Sequence, residues 1–153
     1  MASSKPPVRF QRATYVVSNL EEALKFYEGV LGFTIEFIKE SDENSYSYTV
    51  FEIPKEAKMR FAVLSTEDAP RSMALVEAGG LALDTPPLPR RSAIVLDMAD
   101  VDGVMEGARA LGLKVYGEEK LITKDGRTGR EIGIVDADDN LVVIYTITGR
   151  VDE

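Results

Sequence analysis

The chain has no histidine and no cysteine among its 153 residues, so any chemistry must come from carboxylates, lysines, arginines and tyrosines. This removes the side chain best suited to proton transfer near neutral pH, which is also the commonest transition-metal ligand. Ser-His-Asp catalysis, disulfides, thiolate nucleophiles and thiolate metal sites go with it. A general base here must be Asp, Glu, Lys or Tyr, and a metal must be a hard, oxygen-preferring ion. Arg12 stands out, because a guanidinium is always charged and holds a carboxylate or phosphate in a planar fork. Two loops imitate ligand sites. "DADDN" (136–140) begins like a calcium loop, but the sixth and twelfth positions, which should be Gly and Glu, are Leu141 and Ile147. Asp and Asn tolerate left-handed backbone, so a hairpin turn accounts for it. "KDGRTGR" (124–130) has the glycines and cations of a phosphate loop. It lacks the strand-loop-helix setting such a loop requires and reads as a hairpin tip.

The elements that must position these residues follow from composition and pattern. With 44% hydrophobic residues the chain can bury the core of one domain. A net charge of −8 is the opposite of a nucleic-acid-binding surface. No apolar run reaches the roughly 20 residues of a membrane span. The start, "MASSKPPVRF", carries no apolar signal segment, and a cytoplasmic location is expected.

Residues 1–9 read as a loose tail and 10–17 as a strand rich in β-branched and aromatic residues. Along that strand Ala13, Tyr15 and Val17 turn to one face, and Arg12, Thr14 and Val16 to the other. Ser18 with Glu21 fits a capping box. Leu20, Ala23, Leu24, Tyr27 and Leu31 make a helical stripe, which Gly32 is placed to stop. Strands are expected over 33–40, 46–53, 59–65 and 72–78, and the proline-rich 79–91 is a linker. The grammar then repeats: a strand at 92–98, Asp100 as cap, a stripe through Val101, Val104, Met105, Ala108 and Leu111, and a stop at Gly112. Strands at 113–117, 131–136 and 141–147 follow. The caps Asn19 and Asp100 lie 81 residues apart, too far for a solenoid of about 20–50 residues per repeat. The repeat is one duplication of a βαβββ module, with 10–78 first and 92–148 second. Two such modules give an α+β domain, helices on the outside, whose sheets leave their other face as a concavity.

"VSNLEEALKFYEGVLGF", "MADVDGVMEGARALGL" and "VDADDNLVVIY" resemble the vicinal oxygen chelate superfamily, which includes glyoxalase I, bleomycin-resistance proteins and extradiol dioxygenases. The resemblance covers most of the chain after the tail. It implies tandem βαβββ modules curled around a cup, and a homodimer. In metal-dependent members the first and last strands of each module supply His and Glu ligands. The matching positions here are Arg12, Ala74, Ala93 and Val143, so the resemblance implies the fold without a metal or other cofactor. The nearest carboxylate, Glu77, has the opposite strand parity from Ala74.

Arg12 then stands where the metal would, either to anchor an anionic or carbonyl-bearing ligand or to pair with Asp97. Tyr145 shares the parity of Val143, either to donate to a ligand or to fill volume. Thr14, Tyr48 and Phe51 are the remaining candidates to line the cup. The expected function is binding of a small organic molecule in the cup, for sequestration, resistance or carriage. The alternative is a metal-independent lyase, isomerase or other divergent enzyme of the superfamily.

Overall fold

The computed structural model describes residues 5–152. β1 (Ala13–Val17) leads into α1 (Leu20–Tyr27), β2 (Thr34–Glu40), a short α2 (Tyr46–Val50), β3 (Lys58–Ser65) and β4 (Met73–Gly79). The second unit runs β5 (Ile94–Asp97), α3 (Val101–Ala110), β6 (Lys114–Val115), β7 (Glu119–Ile122), β8 (Arg127–Val135) and β9 (Leu141–Arg150). The fold is α+β, with two sheets ordered β1-β4-β3-β2 and β5-β9-β8-β6, β7 also pairing with β8. Each sheet joins its first strand to its last in parallel, and its other pairings are antiparallel.

The repeat is real in register as well as in order. Thr14 lies opposite Ala74 in the first sheet, and Val95 opposite Val143 in the second. The first strands and helices therefore superpose at an offset of 81, and the last strands at 69 (143 less 74). An ion pair repeats too. Arg60 on β3 holds Glu21 in the first turn of α1, and Arg130 on β8 holds Asp102 in the first turn of α3.

Both helices bury their stripes in one core shared by the two units. It joins Tyr15, Val17, Leu20, Phe26 and Tyr27 to Val101, Val104, Ala108, Ile134 and Ile144. Each fully buried aliphatic side chain of this kind contributes about 1.5–3 kcal/mol. Asn19 caps α1 by accepting from the Glu22 amide, and Asp100 caps α3 by accepting from that of Gly103. The capping box expected at Ser18 is not the one used. The Ser18 amide instead donates to Asp138, and Glu21 is drawn to Arg60. Gly32 and Gly112 both take positive φ just beyond their helices, as a glycine stop requires.

Residues 46–53 do not form the expected strand. Strand alternation would put Tyr46, Tyr48 and Val50 on one face, yet only Tyr48 is buried, its hydroxyl donating to the Ala57 carbonyl. A helical turn lets that one ring enter while Tyr46 stays in water, so tertiary burial overrides β-propensity. The correction restores the βαβββ count, with one inserted helix. Tyr48, Ile53 and Ala57 pack with Val16, Met59, Val76 and Ala78 in a second cluster on the face of the first sheet away from α1. Leu81 and Leu83, from the irregular stretch after β4, join it. The pattern also missed β7, a short edge segment without clear alternation.

Candidate functional site

The interlock between the two units differs at its two equivalent ends. At one end the β8–β9 turn clamps onto β1 and α1. Asp136 accepts from the Tyr27 hydroxyl at 2.8 Å, from the amides of Asp138 and Asn140, and from the Asn140 side chain. Asn140 also donates to the outward carbonyl of Val16, and Asp138 accepts from the Ser18 amide. Tyr15 completes the clamp by donating to the Leu141 carbonyl at 2.6 Å. Burial pushes the Asp136 carboxyl up, against the downward pull of its donors. The Tyr27 hydroxyl is driven far up by burial and by facing that carboxylate, so it remains a donor. Asp139 adopts φ 68°, as a turn residue of its type can, so 136–140 is a structural turn.

At the other end the equivalent residues cannot form this clamp. The offset of 81 puts Leu96 for Tyr15, Ala99 for Ser18 and Ala108 for Tyr27. Along β3 and β8 the offset is 70, as for Arg60 and Arg130, which puts Thr66 for Asp136; along β4 and β9 it is 69, which puts Arg71 for Asn140. Both tyrosine hydroxyls and the buried carboxylate that close the first end are therefore missing from the second. A groove of about 1050 Å³ opens there, whereas the crevice beside the clamped turn holds only about 80 Å³.

The groove runs along β5 between Ala93 and Ala99 and is bounded by the β3–β4 turn. Its apolar lining includes Ala13, Leu31, Phe33, Met73, Ile94 and Leu96, and its carboxylates are Glu67, Asp68 and Asp97. β5 is an edge strand. The Met98 amide donates to the Tyr145 carbonyl, so strand alternation turns the main-chain groups of Val95 and Asp97 away from β9, toward the open edge. An apolar concavity with a few polar groups is the usual form of a small-molecule site. Leu96→Tyr should be accommodated in this open space, changing the unfolding free energy by less than about 1 kcal/mol. Chemical denaturation measures it; a loss above about 1 kcal/mol, in the overpacking range of about 1–3 kcal/mol, would show the end to be already filled.

The sequence candidates are distributed unevenly around this groove. Asp97 lines it, and Tyr145, half-buried, lies directly opposite Asp97 on β9. Ala93 is at its end. Arg12 is exposed just before β1 and donates to the Arg71 carbonyl at 3.4 Å; it forms no ion pair with Asp97. Thr14 and Ala74 face each other within the first sheet, and Val143 faces Val95 in the second. Tyr48 belongs to the second cluster, and Phe51, 38% exposed, caps the short helix beside it. Glu77 is turned to α1, where it accepts from the Leu20 amide and pairs with Arg60. Glu67, Asp68 and Leu96 were missed. The signal for the open end was available in a repeat-against-repeat comparison, where the two clamp tyrosines, Tyr15 and Tyr27, become the aliphatic Leu96 and Ala108.

The four positions of the implied metal site carry a guanidinium and three aliphatic groups, none with a lone pair to donate, so they do not fit a metal ion. Among the described residues no three His, Cys, Asp or Glu side chains are grouped to hold one elsewhere. No helix among them is long and apolar enough to cross a membrane.

Residues 9–144 match the profile of the glyoxalase/bleomycin resistance protein/dioxygenase superfamily, and the chain belongs to that superfamily. Solved structures agree on the fold. A glyoxalase family protein from Bacillus cereus superposes with a TM-score of 0.71 at 16% identity, covering 97% of this chain and 100% of that one. A glyoxylase/bleomycin resistance protein/dioxygenase domain from Frankia sp. EAN1pec gives 0.66 at 17% identity, with 98% and 96% covered. The fosfomycin resistance protein FosX from Listeria monocytogenes, complexed with Mn(II) and sulfate, gives 0.57 at 15% identity, with 100% and 98% covered. No curated protein is matched by sequence.

Proposed function

We propose that this member of the superfamily binds a small organic molecule without a metal ion, in a sequestration, resistance or carrier role. The observation that carries the reading is the open end of the interlock, a groove of about 1050 Å³ with an apolar lining and carboxylates at its edge. The ligand lies along β5, with Asp97 at its polar end and Tyr145 beside it. Arg12 reaches a ligand only from outside the groove, so its role is secondary. The reading takes the assembly as a homodimer.

Native mass spectrometry of protein purified without added metal tests this, together with elemental analysis of the same sample. A non-covalently bound organic mass and metal far below one equivalent per chain are expected. One equivalent of zinc, nickel, iron or manganese overturns the reading. Turnover of the bound molecule on incubation would replace the binder with a metal-independent enzyme.

A further inference from the structure

The charge around the groove is one-sided. Glu67, Asp68 and Asp97 line it, and no lysine or arginine is among its lining residues. Among the described residues, the carboxylates of Glu67 and Asp97 take part in no hydrogen bond or ion pair, and Asp68 accepts only from the Thr66 hydroxyl. Glu21, Glu77, Asp102, Glu118 and Asp125, by contrast, each hold an arginine. Arg9, Arg12 and Arg71 adjoin the lining residues Phe10, Ala13 and Ser72 in sequence without lining the groove themselves. Arg12 is occupied with the Arg71 carbonyl.

The three carboxylates are exposed and share one groove with an apolar lining. The wall is also rich in acceptors, because Val95 and Asp97 turn main-chain carbonyls outward. Anions of any kind meet like charge here, and a neutral ligand leaves the carboxylates to be partly desolvated without compensation. A cation with an apolar body satisfies both surfaces.

We propose that the ligand of this groove is an organic cation, an amine protonated at neutral pH and carried on an apolar body. The assignment rests on the groove being the ligand site of the proposed function, and it adds the ligand's charge. The body lies on Leu31, Phe33 and Leu96, and the ammonium sits between Asp97 and Glu67.

Three probes with the same body separate charge from shape: 4-phenylbutylamine, 4-phenylbutanol and 4-phenylbutyrate, titrated by ligand-observed NMR and calorimetry. The amine should bind at least about ten-fold more tightly than the carboxylate at low salt. That gap should shrink at about 0.5 M salt, where screening shortens to a few ångströms. In the double variant Glu67→Gln/Asp97→Asn the gap should fall to within about three-fold, as expected once the charges are gone. The alcohol should keep its affinity there, showing that the groove is intact. A carboxylate that binds as well as the amine, or a gap unchanged in the double variant, overturns the charge assignment and leaves the groove as a ligand site. Failure of all three probes to bind overturns both.

Discussion

Asp136→Ala is expected to lower the unfolding free energy by about 3 kcal/mol, because it removes the acceptor from several buried donors at once. The Tyr27 hydroxyl, on a residue with no exposed surface, loses its partner. The part-buried Asp138 and Asn140 amides lose theirs within the turn. An unsatisfied buried donor costs about 1–3 kcal/mol, so three would exceed the expected total. The offset comes from the carboxylate itself, whose burial is unfavourable and is relieved by its removal. Tyr27→Phe leaves the other three donors in place and should cost only about 1–1.5 kcal/mol, the worth of one hydrogen bond.

The pH dependence separates the two terms. The folded-state pKa of Asp136 is raised, chiefly by burial, so the folded protein holds this proton more tightly than the unfolded chain does. Its contribution is fully present below the ordinary aspartate range and is lost as pH climbs through the raised value. The loss on Asp136→Ala should therefore be larger near pH 4 than near pH 8, read from urea melts of both proteins. A loss below about 1 kcal/mol at either pH would mean that the turn does not depend on this carboxyl.

The fold was legible because its local signals agree with one another. Glycines with positive φ fall where the stripes end, and Asp100 caps the second helix as its spacing demands. The strand expected at 46–53 failed because its residues have strand propensity but only Tyr48 and Ile53, five apart and so of opposite strand parity, have places in the core. Propensity reports what a segment tolerates, and burial decides. The site was less legible for a different reason. Strand parity correctly set Val16 on the face opposite Tyr15 and Val17, but parity cannot say what else occupies that face. In the first unit it is α2 and Leu81, so the cup candidates Tyr48 and Phe51 are used in and around a core. The groove depends on a long-range contact, Tyr27 with Asp136, whose counterparts in the other unit, Ala108 and Thr66, cannot make it. The difference becomes visible only when residues 109 positions apart in sequence are known to meet.

Gly129→Ala should be the most damaging single methyl addition in the molecule. A Cβ built there lies 2.0 Å from the Thr146 carbonyl oxygen, 3.0 Å from its carbon and 3.1 Å from the Ile147 Cα. All three atoms are backbone of β9, so no rotamer change relieves the clash. The position is already irregular, because the β8–β9 register shifts between Thr128 and Gly129. The ladder must open, and the cost should exceed about 3 kcal/mol, beyond the range of ordinary substitutions. Gly107 gives the control. A Cβ there meets only the Val30 side-chain methyls at 3.0 and 3.1 Å, which can shift by tenths of an ångström. In a helix interior Gly→Ala also gains up to about 1 kcal/mol of propensity, so Gly107→Ala should come out near neutral. The Gly129 effect should not stop at stability. Thr146 adjoins Tyr145, which sits opposite Asp97, and β9 is the strand to which β5 pairs. Opening the ladder at Thr146 displaces the strand that carries the groove's carboxylate. Whatever Gly129→Ala protein remains folded should therefore bind 4-phenylbutylamine more weakly, while Gly107→Ala protein binds it unchanged. Equal affinity for both variants would show that β5 is held by contacts other than its pairing with β9.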